Sequence, residues 1–160
     1  MLFYSNIYLF LFLPVTLFFY FFRKYLKLDH KTILIFCGLF FYSWWNYKYL
    51  PLILFIFFVN YYFSLKILAT KGNRLLLFSS ILFNVLNLVI FKYLDFLILN
   101  LNNFFNLDLT MLNLPFPLAL SFITFQVIAM LINCYDEEIQ EVKLKDFFVF
   151  IIFFPQLIAG

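Results

Sequence analysis

The chain has 160 residues, 66% hydrophobic and only 12% charged, with a net charge of +3 and a mean hydropathy of +1.01. There is too little polar surface to clothe a water-soluble core, so the composition indicates an all-α, polytopic membrane protein. The basic residues sit in small groups beside apolar runs, which excludes a nucleic-acid surface and makes them topology signals instead.

Six apolar segments are predicted to span as helices, near 5–22, 32–46, 49–69, 75–94, 115–134 and 146–160, in one membrane domain. Their continuous apolar runs argue against barrel strands, which alternate. No basic region precedes the first segment and no small-residue cleavage site follows it, so it reads as a retained helix, kinked at Pro14, rather than a signal peptide. Arg23, Lys24, Lys27 and Lys31 lie between the first two spans; Lys66, Lys71 and Arg74 surround the turn after the third; Lys143 and Lys145 precede the sixth. Only Lys48 and Lys92 fall on the other side, which predicts an external N-terminus and cytoplasmic loops at 23–31, 70–74 and 135–145.

Trp44, Trp45, Tyr47 and Tyr49 read as an outer interfacial belt, with a sugar-stacking platform as the alternative. Asn60 and Ser64 share one helical stripe, as do Ser80, Asn84 and Asn87; both read as interhelical contacts. Residues 95–113 mix Leu and Phe with Asn and Asp, and are predicted to form an amphipathic interfacial helix. In the fifth span Ser121 and Thr124 lie within about 60° of each other, while Gln126 and Asn133 share the nearly opposite face. Such a helix is expected inside the bundle or beside a water-filled cavity. Pro115, Pro117 and Pro155 predict broken backbone under protein cover.

Cys37 and Cys134 are expected to be free thiols, with no metal site. The acidic group Asp136, Glu137, Glu138 and Glu141 reads as a solvated turn. His30 has no partner cluster, so no nucleophile, base and orienting group emerge from these residues. A transporter fragment or a membrane scaffold without chemistry stays open on this reading.

Three stretches carry a resemblance: FLFLPVTLFFYFF (10–22), LFFYSWWNYKYLPLILFIFFVNYYFSL (39–65) and residues 114–160, which include LALSFITFQVIAMLINCYD and FFPQLIAG. They resemble the membrane-bound O-acyltransferase family, in its bacterial branch of alginate O-acetyltransferase membrane subunits and D-alanine teichoic acid exporters. Leu118-Ala119-Leu120 stands where the family's small-residue and Gly pattern precedes the Ser, and Asn133-Cys134 before Tyr135 also departs from it.

The resemblance implies the N-terminal part of a larger helix ring that transfers an acyl group, an acetyl group above all, from a cytoplasmic donor to a cell-envelope polysaccharide hydroxyl. The donor would be acetyl-CoA or an acyl carrier protein thioester. It implies motif and tunnel-lining roles for Ser121, Phe122, Thr124, Phe125, Gln126, Tyr135, Asp136, Pro155, Gln156 and Gly160. The family's histidine is expected downstream of Gly160, so that the 160 residues alone are inactive. Lipid, a C-terminal half and a periplasmic acetyltransferase partner complete the expected surroundings, in a bacterial inner membrane.

Overall fold

The computed structural model describes residues 5–159 and is helical, with no strand among them. Gly160 lies outside the described residues.

The chain enters through a π-helical stretch, Tyr8–Phe12, that runs directly into α1 (Leu13–Phe21). Pro14 explains the wide turn. It has no N–H to give the carbonyl four residues back and its ring would press on that carbonyl, and widening the spiral relieves both. The Leu13 N–H accordingly bonds five residues back, to the Tyr8 carbonyl. The expected kink is thus a local change of pitch. At the far end Arg23 donates to the Tyr20 carbonyl (2.9 Å) and lies over the Tyr20 ring. The short α2 (Arg23–Leu26) then stops at Lys27, which is left-handed at φ 52°.

α3 (His30–Asn46) and α4 (Leu50–Thr70) are joined through a 3₁₀ turn, Tyr47–Tyr49. Residues 30–70 form one continuous run of helical elements, and among the described residues this run and 74–105 are the two stretches long and apolar enough to cross a membrane. The first of these is not one rod. Asn46 is extended (φ −160°, ψ 99°) and its Oδ1 accepts from the Lys48 N–H, so the chain turns there, and Pro51 starts α4 where a missing N–H costs nothing.

α4 and α5 (Arg74–Phe105) are joined at Lys71-Gly72-Asn73, where Gly72 is left-handed and Asn73 caps α5 by accepting from the Leu76 N–H. The sequence reading ends this helix near 94 and lays a separate interfacial helix over 95–113. The structure instead continues α5 to Phe105 and leaves 107–117 without helix. The reason is local: no Gly or Pro occurs from 74 to 105, and Asn or Asp in a helix costs only tenths of a kcal/mol, roughly 0.7 at most. Left-handed Asn106 ends it, and the following segment folds back on the helix end. Asn102 exchanges two hydrogen bonds with the Leu109 backbone, and Asp95 accepts from the Leu112 N–H.

α6 (Leu120–Tyr135) is followed by α7 (Leu144–Ile152) and α8 (Phe154–Ala159). α6 packs on α4 and α5, and buries Ile123, Val127, Leu131 and Cys134 along one stripe. Phe57 of α4 meets Phe147 and Phe148 of α7, while Tyr8, Phe12, Phe41 and Phe154 form a second aromatic cluster. α3 crosses α7 at Gly38, where a Cβ would collide with the Ile152 carbonyl oxygen. The crossing is tied at one end by ion pairs, Lys31 with Asp146 and Lys145 with Asp29 (3.1 Å).

Candidate functional site: a glutamine pair between α6 and α8

α7 and α8 are separated at Phe153, which is extended (ψ 103°). Pro155 stands in the first turn of α8, and its missing donor and bulky ring forbid an uninterrupted helix through Ile151. The break re-aims the next residue. Gln156 thereby meets Gln126 of α6, whose Nε2 donates to Gln156 Oε1 at 3.0 Å. Gln126 Oε1 is buried and has no hydrogen-bond partner among the described residues, so the pair carries an unused acceptor. Exchanging O and N on the amides leaves one polar group over in the same way.

The other family-motif residues are distributed along α6. Thr124 is buried, but its hydroxyl returns to the Leu120 carbonyl at 2.8 Å and is satisfied within the helix. Ser121 and Phe122 are half-buried one turn before the glutamine. Phe125 is 66% exposed and points away from the pair. Tyr135 is half-buried and Asp136 exposed at the far end of the helix, about 15 Å along the axis from Gln126. The structure therefore unites Gln126 and Gln156 beside Pro155, and leaves Tyr135 and Asp136 apart from them. α6 buries one face against α4 and α5, while the face through Phe125, Ala129 and Ile132 is open among the described residues.

Asn133 borders a different feature, a cavity of about 400 Å³ between α6 and α7 whose rim carries Glu141, Lys143 and Asp146. His30 is exposed beside Asp29, with 3.1 Å between its Nδ1 and the carboxylate. Among the described residues no three His, Cys, Asp or Glu side chains come together as a metal site would need.

One polar contact in the core was not foreseen as a pair. Asn60 of α4 and Asn84 of α5 exchange side-chain hydrogen bonds in both directions (3.0 and 2.6 Å), each also donating to the carbonyl four residues back. The sequence signal was present, since each residue belongs to a polar stripe in an apolar helix, but the register between the helices was not.

Among the described residues the class is an all-helical bundle with two stretches long and apolar enough to cross a membrane, a proline-broken helix and an amide pair in its interior. Along its whole length the chain is similar to a peptidoglycan O-acetyltransferase of Helicobacter pylori, 37% identical over 191 aligned positions and 36% of that protein. It is likewise similar to probable alginate O-acetylases AlgI of Pseudomonas aeruginosa (32% identical, 32% of that protein) and Pseudomonas fluorescens (29% identical, 31%). The chain is thus a homologue, matched from end to end, of bacterial O-acetyltransferases of the membrane-bound O-acyltransferase type. It spans about a third of the length of these curated relatives. No protein-family model and no solved structure matches it.

Proposed function

We propose that the chain is part of an O-acetyltransferase that moves an acetyl group from a cytoplasmic thioester, acetyl-CoA or an acyl carrier protein, to a hydroxyl of a cell-envelope polysaccharide. The observation that carries this reading is the end-to-end similarity to proteins named for acetylating two such polymers. In the reaction the acceptor oxygen bonds to the thioester carbonyl carbon, its proton passes to a base, and the thiol leaves. These residues supply wall and polar lining. No base is assigned among these residues, since the single histidine, His30, is exposed at the start of α3 and already faces Asp29. The 160 residues alone are therefore inactive in this reading.

Gln126 and Gln156 are the lining group best supported by geometry. They sit where the α7–α8 break opens the backbone, and their spare acceptor can receive a hydroxyl or amide donor that enters the path. Ser121 and Thr124 line the same helix toward its outer end, and Tyr135, Asp136 and the Asn133 cavity mark the cytoplasmic mouth. Six spans in a bacterial inner membrane, with the N-terminus outside, place the thioester and the polysaccharide on opposite ends of this path. A periplasmic acetyltransferase partner would act on the outer side.

Deleting the gene and measuring ester-linked acetate on peptidoglycan, an alginate-like polymer and teichoic acid tests the reading. Loss of acetate from one polymer, restored by the full-length gene, is expected. Unchanged acetylation of all three would overturn it. The orientation is checked separately: a Lys71→Cys protein should be labelled by an impermeant thiol reagent only after the cytoplasmic face is opened.

A further inference from the structure

A groove of about 580 Å³ runs between α1 and α3, and neither glutamine of the pair lines it. Its walls are apolar: Val15 and Phe19 on one side, Ile33, Phe36 and Phe40 on the other, with Trp44 at one end. Phe36 is 68% exposed and Phe40 53%, so the groove opens sideways rather than into the bundle. Between Thr32 and Trp44 it follows α3 for about 18 Å, close to the roughly 15 Å depth of one bilayer leaflet.

The two ends differ in charge. At the Trp44 end no ionised side chain lines it. The other end is lined by Leu28 and Thr32, which adjoin in the chain the basic residues Arg23 and Lys24 of α2, Lys27 and Lys31. Lys31 is engaged by Asp146, and Asp29 by Lys145 and His30, and Arg23 is held on Tyr20. Lys24 and Lys27 are exposed and have no ion-pair partner among the described residues. An apolar slot one leaflet deep, with two uncommitted lysines in the short segment that leads to its Leu28 end, matches an amphiphile with one negative head.

We propose that this groove holds an acyl chain of an anionic phospholipid, with its phosphate against Lys24 and Lys27. The site rests only on α1 and α3 crossing the bilayer, and is independent of acyl transfer. Cys37, a free thiol on the groove wall, provides the probe position. The full-length protein, with its other cysteines replaced and a fluorophore on Cys37, is reconstituted into vesicles of brominated phosphatidylcholine, with or without brominated phosphatidylglycerol.

At equal bromine content, phosphatidylglycerol should quench at least about twofold more strongly, a preference that ion pairing at a membrane surface readily supplies. The Lys24→Gln/Lys27→Gln protein should lose the preference while phosphatidylcholine still quenches. Equal quenching by the two lipids, or a preference retained by that variant, would overturn the anionic head. Absence of quenching by both lipids would mean that protein covers the groove, and would overturn the site. Co-flotation with the vesicles reads membrane insertion separately, so failure there strikes the membrane reading and this site together, without touching the thioester chemistry.

Discussion

Gln126 and Gln156 stand thirty residues apart in the chain and 3.0 Å apart in space, joined by a hydrogen bond that exists only because the helix before Gln156 is broken at Phe153. Removing one amide leaves the other without its partner, at a cost of about 1–3 kcal/mol, whereas replacing both by apolar residues of similar size is close to neutral. Gln156→Ala in the full-length protein is therefore expected to lower both thermal stability and acetyl transfer. The double substitution Gln126→Leu/Gln156→Leu should melt near the wild-type temperature and still lose activity. Activity retained by the stable double variant would limit the pair to a structural role.

Asn60 and Asn84 provide the contrasting case, an amide pair with all its bonds made within α4 and α5. Asn60→Ala is expected to destabilise by about 1–2 kcal/mol, with a coupling of roughly 0.6–1.7 kcal/mol in a double-mutant cycle with Asn84→Ala, and to leave acetyl transfer by the folded fraction unchanged. Unfolding in mixed micelles with rising denaturing detergent measures the cycle. Additive single effects would show that the two amides do not depend on each other.

Much of this was legible from sequence because apolar period and breakers act locally. The short polar turn at Lys71-Gly72-Asn73, the interruption ahead of Pro155 and the free cysteines follow from residue chemistry at single positions. What was not legible depends on how helices meet. Nothing in the local sequence of Asn60 says that Asn84 faces it, or that Gly38 is there to let the Ile152 carbonyl approach. The misplaced end of α5 has a different cause. Polarity of the Asn-rich stretch was read as a change of environment, but backbone geometry continues until a residue stops it, and Asn106 is the first to do so.

Ala119 opens α6 with φ 55°, a left-handed conformation that disfavours a Cβ by roughly 1–2 kcal/mol. The resemblance expected a small-residue and glycine pattern just here, and the backbone supplies the physical reason for it. Ala119→Gly should raise stability by about 0.5–1 kcal/mol, the relief being partly offset by the greater freedom of glycine in the unfolded chain. Ala119→Val should lower it by at least about 1 kcal/mol, since a β-branched residue tolerates this region least. Melting temperatures of the two variants should fall on opposite sides of wild type, and a loss on glycine substitution would contradict the strain.

Asp29 ties the start of α3 to the start of α7, accepting from Lys145 at 3.1 Å while Lys145 also reaches Thr32 Oγ1 at 3.2 Å. The hydrogen bond from Lys145, helped by its charge, by a backbone N–H and by His30, holds the Asp29 carboxyl below the ordinary carboxylate value of 3.8, against a smaller opposing effect of desolvation. A carboxyl depressed in the folded state stabilises it above the unfolded value and ceases to do so as pH falls through the folded value. The tie should thus persist through neutral pH and loosen only in acid, below about pH 4. In the Lys145→Met protein the main cause of the depression is gone, and among the described residues Lys31 with Asp146 is left as the ion pair between the two helices. Melting temperature followed from pH 7 to pH 3 should be lower in Lys145→Met than in wild type at neutral pH, and the two profiles should converge in acid, where the wild type loses the Asp29 contribution that the variant already lacks. Superimposable profiles would show that the Asp29–Lys145 contact adds nothing to the folded state in solution.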